Sequence, residues 1–135
     1  MDVITIQTSK KEQLLDITKK VQELVKLSKV KSGICHLYVP HATAALTINE
    51  NADPNIQTDI LDCLDRLIPS GMWKHDALDQ NASAHIKTSI FGASESVPID
   101  KGELFLGAWQ NIFLCEFDGP RAERTIVVKI LEGRN

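Results

Sequence analysis

Residues 41 to 59 read HATAALTINENADPNIQTD and set a histidine, several asparagines, a glutamate and two aspartates around a short apolar run. That is more chemistry than an ordinary strand-to-helix connection requires. Imidazole, carboxamide and carboxylate together suit proton transfer, ligand orientation or coordination of a divalent cation. The chain holds only 4 histidines. His41, His75 and His85 fall at an element boundary, in a loop and near a helix start, where they can converge without disturbing a core; His36 falls inside a strand. Three neutral imidazoles with a carboxylate such as Glu50, Asp53 or Asp59 would suit a divalent metal, zinc or magnesium, with a position left for water. No HExxH-type spacing accompanies them, and each histidine taken singly could instead hydrogen-bond backbone.

The acids divide by position. Asp53 precedes Pro54, and a helix N-cap role accounts for it. Asp59 sits one turn further on, where no cap is needed. With Asp62 and Asp65 it makes a like-charged row that costs a few tenths of a kcal/mol per pair unless a cation such as Arg66 offsets it. In CEFDGPR, residues 115 to 121, Glu116 and Asp118 share strand parity with Ile112 and Leu114. Gly119 and Pro120 then turn the chain and present Arg121, whose planar fork can bind phosphate or carboxylate, or pair with Glu116 or Asp118. Asn49 and Gln110 either orient a ligand or satisfy turn backbone. The ligand-binding candidates are His41, Asn49, Asn81, Gln110, Asp118 and Arg121; the catalytic candidates are Glu50, Asp59, His75 and His85.

These residues need elements to hold them. Residues 2 to 8 alternate as a half-buried strand. Ser9 and Glu12 stand at capping-box spacing, which predicts a helix from there to about Ser32, with Leu14, Ile17, Val21, Leu24 and Val25 on its buried stripe. A strand covered on both faces follows over 33 to 39, stopped by Pro40, and another over 42 to 48. Asp53 and Pro54 open a second helix that buries Ile56, Ile60, Leu64 and Leu67 and closes at residues 69 to 71. Residues 70 to 80 read as a loop, and Asn81 caps a short helix that ends at Gly92. The last third predicts a meander of strands over 95 to 99, 103 to 109, 112 to 118 and 123 to 131, with a turn at Asp100, Lys101 and Gly102. Helices and strands do not alternate regularly. A doubly wound parallel sheet is therefore disfavoured, and an α+β fold with an antiparallel, sandwich-type core is expected.

A chain of 135 residues is expected to form one domain, residues 1 to 135, with hydrophobic residues at 43% and charged residues at 24%. The net charge of −3 leaves no global basic field to gather nucleic acid. The lysines at 10, 11, 19, 20, 26, 29 and 31 then read as a solvated helix face. Cys35, Cys63 and Cys115 are odd in number and widely spaced, and read as small buried hydrophobes in a reduced compartment. No apolar run approaches the roughly 20 residues of a spanning helix, no export signal opens the chain, and a cytoplasmic location with no membrane partner is expected.

PHATAALTINENADP (40 to 54), His75, NASAHI (81 to 86), VPIDKGELFLGAWQ (97 to 110) and CEFDGPR together resemble the YjbQ family, also called the secondary thiamine-phosphate synthase family. The match runs from about residue 33 to 125. The resemblance implies a homotrimer of α+β subunits, a polar pocket within or between subunits, and weak thiamine-phosphate synthase activity on a phosphorylated small molecule. Ala108 departs from the threonine usual before Trp109 and Gln110, which bears on substrate preference. On this reading Arg121 or a metal holds phosphate and His75 or His85 moves a proton. The competing reading is a trimeric module that captures a metal or metabolite without turnover.

Overall fold

The computed structural model describes residues 1 to 134. Two antiparallel sheets face each other. The larger has the order β1 (Asp2–Ile6), β8 (Arg124–Glu132), β3 (Ser32–Tyr38), β5 (Ser94–Asp100), β6 (Glu103–Leu104). The smaller is β2 (Gln13–Asp16), β7 (Asn111–Glu116), β4 (Ala44–Asn49). Period-two alternation decides which side chains meet between them. Ile4, Ile6, Cys35, Leu37, Val97, Ile99, Ile126 and Val128 come from the larger sheet, and Ala44, Leu46, Ile112 and Leu114 from the smaller. Helix α1 (Thr18–Ser28) adds Val21 and Val25 to this core. The other face of the smaller sheet (Ala45, Phe113, Cys115) makes a second core with Leu64 of α2 (Pro54–Leu67) and Ala84 of α3 (Ala82–Phe91). Both faces of β4 and β7 are thus covered, which explains their near-continuous apolar runs. Each large side chain so buried contributes about 1.5–3 kcal/mol.

Several expectations change. The strand β3, expected to be covered on both faces, packs only one against the core and leaves Ile34 48% and Tyr38 47% exposed on the other. The helix predicted from Ser9 begins only at Thr18, because Gln13–Asp16 pairs with β7 and buries Leu14 on one face and Leu15 on the other. Ser9 exchanges hydrogen bonds with Gln13 rather than Glu12. The start of α1 is held by Asp16, whose Oδ1 accepts from the Thr18 amide at 2.9 Å. In α2, Asp53 does cap, accepting from the Asn55 amide at 2.9 Å. The buried stripe keeps Ile60 and Leu64, but it takes in Leu61 and Ile68 in place of Leu67, which is 71% exposed. The strand predicted over 103 to 109 stops at Leu104, because Gly107 and Gln110 close a turn on each other. The last strands are not one meander, since β7 leaves for the smaller sheet and β8 returns to the larger. Among the cysteines, Cys35 and Cys115 are buried and burial pushes the Cys35 thiol up to about 11, but Cys63 is exposed on α2. Among the described residues no helix is long and apolar enough to cross a membrane.

Lys87 of α3 is only 2% exposed and its ammonium reaches Glu12 and Asp65, each at 2.6 Å. Burial lowers its pKa, but hydrogen bonds to Asp65 and Glu12 outweigh that and raise it. Asp65, in the acidic row of α2, therefore has its offsetting cation, supplied from another helix. The pair of bonds pins α3 to α2 and to the β1–β2 connection. Lys87→Ala is expected to lower unfolding free energy by about 3 kcal/mol, because it leaves partly buried carboxylates unpaired. Urea denaturation of wild type and variant measures this, and a loss under about 1 kcal/mol would show the pin to be dispensable.

Candidate functional site

Three connections cross between the sheets at one end of the sandwich: residues 7 to 12 (β1 to β2), 39 to 43 (β3 to β4) and 117 to 123 (β7 to β8). Backbone hydrogen bonds join them, from Thr8 N–H to Arg121 O at 2.9 Å, Gly119 N–H to Lys11 O at 2.9 Å, and Phe117 N–H to Thr43 O at 3.2 Å. At their centre Glu116, 0% exposed, pairs with Arg124, 2% exposed. Glu116 Oε1 accepts from Thr8 Oγ1 at 2.7 Å and Arg124 Nε at 2.9 Å, and Oε2 accepts from Arg124 Nη2 and the Asp118 amide. Arg124 Nη2 also donates to Thr43 Oγ1 at 3.0 Å. Burial pulls Glu116 upward in pKa, yet the hydrogen bonds from Arg124, Thr8 and Asp118 hold it below the ordinary carboxylate value.

This corner presents Asp118 and Arg121. Asp118 Oδ2 accepts from Asn81 Nδ2 at 2.9 Å and Arg121 Nη2 at 2.9 Å, and Oδ1 accepts from Lys11. Burial would raise the Asp118 pKa, but Lys11, Asn81 and Arg121 lower it. Arg121 thus forms its ion pair with Asp118 rather than Glu116. Asn81 does not cap α3 with its side chain; Asp76 does, accepting from the Ala82 amide at 3.0 Å. Asn81 is freed to turn its Nδ2 to Asp118, while its Oδ1 is buried without a partner. One turn along, His85 meets His75 edge to face with ring centroids 4.8 Å apart. His75 Nε2 is likewise buried without a hydrogen bond, with Asp79 Oδ2 3.6 Å away. The start of α3 therefore brings two imidazoles and an unsatisfied amide oxygen to a corner bearing Arg121 and Lys11.

The other candidates lie elsewhere. His41 stands on the 39 to 43 crossing and accepts the Thr125 N–H on Nε2 at 2.9 Å, so that lone pair is engaged. Asn49 and Glu50 lie at the far end of β4: Ala44 is opposite Glu116 but Asn49 is opposite Asn111, about 16 Å along at about 3.3 Å per residue. Asn49 Oδ1 accepts the Glu50 amide, and Gln110 Oε1 accepts the Gly107 amide, each at 2.8 Å. Both side chains satisfy turn backbone. Asp59 is exposed on α2 and lines a shallow depression of about 280 Å³ with Asp62, Cys63, Arg66 and Leu67. Among the described residues no three His, Cys, Asp or Glu side chains are grouped to hold a metal ion. Sequence reasoning missed Arg124, Thr8 and Asp76, and took Lys11 for solvated helix charge. The pattern did carry one signal: Arg124 shares parity with Ile126 and Val128 as Glu116 does with Leu114, which sets opposite charges at core positions on two strands flanking one turn.

Residues 2–133 match the family model described as UPF0047 protein YjbQ-like. A UPF0047 protein of Methanocaldococcus jannaschii is 49% identical over 93% of this chain and 90% of its own length. The UPF0047 protein YugU of Bacillus subtilis is 40% identical over 97% of this chain and 98% of its own. The crystal structure of a YbjQ-like protein of unknown function from Sulfolobus solfataricus superposes with a TM-score of 0.94 at 43% identity, covering 98% of this chain and 96% of that one. A hypothetical protein from Aeropyrum pernix superposes at 0.92 with 41% identity, covering 98% of each chain.

Desolvation and the nearby Arg124 lower the pKa of His41 from its ordinary 6.5, against the opposing pull of Glu116. The unfolded chain therefore takes up the proton first, so stability from neutral His41 is complete above about 6.5 and is lost as pH falls toward the folded value. The thermal midpoint is expected to fall as pH drops below about 6.5, and His41→Gln to flatten part of that fall. The losses below the ordinary 4.5 of Glu116 and 3.8 of Asp118 remain in the variant. Calorimetric scans across this range check the slope; an unchanged profile in the variant removes His41 from the titration.

Proposed function

The chain belongs to the UPF0047 YjbQ-like family, and from that premise we propose that the corner at the start of α3 binds a phosphorylated small molecule and supports weak thiamine-phosphate synthase activity in the cytoplasm. The observation that carries this reading is the pair of buried, unpartnered atoms, Asn81 Oδ1 and His75 Nε2. Leaving such groups unmatched costs about 1–3 kcal/mol each, which polar groups of a ligand would recover. Arg121 donates through Nε and Nη2 to Asp118 and keeps its remaining N–H groups for a phosphate. Lys11 adds a second positive charge beside it. Cations held in place by Asp118 would stabilise leaving-group charge without reorganising. His75 or His85 would move the proton, as imidazoles do near neutral pH.

A zinc or magnesium ion would find two imidazoles here, but among the described residues no three His, Cys, Asp or Glu side chains are grouped to hold one. That falls short of the three-ligand set of a catalytic zinc, so no step is routed through a metal. A second reading, capture without turnover, draws support from Glu50 and Asp59, the carboxylates nominated for catalysis, which stand apart from the imidazoles. The two readings separate on one comparison. His85→Ala is expected to reduce the rate of thiamine phosphate formation by at least about a hundredfold, the scale of general acid–base catalysis. Asn81→Ala is expected to weaken thiamine phosphate binding by about tenfold or more. Thiamine phosphate binding without formation supports the module; neither binding nor formation sinks the proposal.

Self-association as a homotrimer has a surface to use. The outer face of the larger sheet exposes Val3 and Tyr38 in register across Val127, and Ile34 beside Leu131. Grouped exposed apolar side chains on a sheet face mark an interaction surface more often than isolated ones do. Light scattering is expected to give three times the 15.0 kDa chain mass, and Ile34→Glu with Leu131→Glu to return it to 15.0 kDa. A wild-type mass of one chain removes the trimer.

A further inference from the structure

The lysines that looked like one solvated helix face do not all lie on it. Lys29 closes α1 with φ 60°, and Lys101 opens the β5–β6 turn with φ 51°, followed by Gly102 at φ 80°. Helix ends and hairpin turns of this left-handed kind favour glycine, asparagine or aspartate. Only three non-glycine residues among those described have positive φ, and these two lysines border one hollow. It measures about 200 Å³ and is lined also by Lys26, Lys31 and Glu103. The Gly102 amide donates to Lys31 O at 3.0 Å and ties the turn to the chain leaving α1. The Lys31 side chain runs over Gly102, where a β-carbon would sit 3.4 Å from its ammonium nitrogen.

Among the described residues, none of these four ammonium groups has a carboxylate within ion-pair distance. Glu103 and the partial negative charge of about one half at the α1 C-terminus leave roughly two and a half positive charges around the hollow. Holding like charges together on strained backbone is unfavourable unless something of opposite charge is bound. We propose that this hollow is a binding site for a compact polyphosphate group, the diphosphate or triphosphate of a small molecule, clasped by Lys26, Lys29, Lys31 and Lys101. It is separate from the α3 corner, since Lys31 precedes β3 and the 39 to 43 crossing that helps tie that corner follows it, roughly 25 Å apart along a strand rising about 3.3 Å per residue. Its size suits a small anionic group, and its one-sided charge selects against neutral metabolites.

Inorganic pyrophosphate titrated into the full chain, followed by amide NMR, tests this. Saturable shifts are expected at Lys29, Lys31, Lys101 and Gly102, weakening as ionic strength rises from about 0.01 M to 0.15 M. Lys29→Gly with Lys101→Gly removes two charges and relieves both left-handed positions. This pair is expected to weaken pyrophosphate binding at least about tenfold while keeping or raising the thermal midpoint. Lys29→Arg with Lys101→Arg should retain the binding, as should Asn81→Ala, which weakens binding only at the α3 corner. Lys26→Gln with Lys31→Gln, which leaves the backbone conformation alone, should weaken it as well. Shifts confined to the surroundings of Asn81, no saturation, or wild-type affinity in both charge-removing pairs would overturn the proposal.

Discussion

The buried pair of Glu116 and Arg124 is the constraint on which the rest of this structure depends. Two opposing charges withdrawn from water are tolerable only when every lone pair and proton finds a partner. Here the partners come from three crossings, with Thr8, Thr43 and the Asp118 amide converging on one carboxylate–guanidinium unit. A sandwich of two sheets can slide or splay at its open end. At this end it cannot, because the crossings share a single network whose disruption would strand a charge. Apolar packing between the sheets supplies the larger energy, and the ion pair supplies the register.

What the corner presents follows from how it is tied. The bond from Glu116 to the Asp118 amide, and the one from the Arg121 amide to Thr8 Oγ1 at 2.8 Å, set the two residues that face outward. Asp118 then reaches Asn81, and Lys87 anchors α3 from its inner side through Glu12 and Asp65. Both attachments draw on the β1–β2 connection, which supplies Thr8, Lys11 and Glu12. One short segment without regular secondary structure therefore positions the helix and completes the corner. The imidazoles of His75 and His85 inherit their placement from these polar ties, together with Trp73 and Ile86, which pack against the second core.

Where local interactions decided the outcome, residues could be read directly. Period-two alternation identified β1, apolar runs bounded by turn residues and Pro40 identified β3, β4 and β8, and Asp53 with Pro54 identified the start of α2. The antiparallel α+β architecture followed from the order of elements. Where a distant partner decided, reading failed. Residues 9 to 16 satisfy a helix pattern locally, but pairing with β7 buries Leu14 and Leu15 on opposite faces, which a helix with a single stripe could not do. Leu67 fits the α2 stripe as well as Ile68 does, and only the position of the smaller sheet chose between them. Lys29 read as solvated charge and Lys101 only as one residue of a turn, because backbone φ is invisible in a list of residue types.

The candidate site divides along the same line. The sequence by itself determined which chemistry was available: a handful of histidines, an arginine after a glycine–proline turn, and amides near helix starts. It also determined the family, through motifs spread along most of the chain. Only the tertiary structure decided which of these meet. His75, His85, Asn81, Asp118 and Arg121 come together, while Asn49, Glu50 and Asp59 do not, although they are closer in sequence to His41. The physical reason is that caps, turns and alternation depend on residues within a few positions of one another. Proximity across a sandwich depends on strand register and on which buried charges must find each other, and those partners lie from 8 residues apart, as Glu116 and Arg124, to 108 apart, as Thr8 and Glu116.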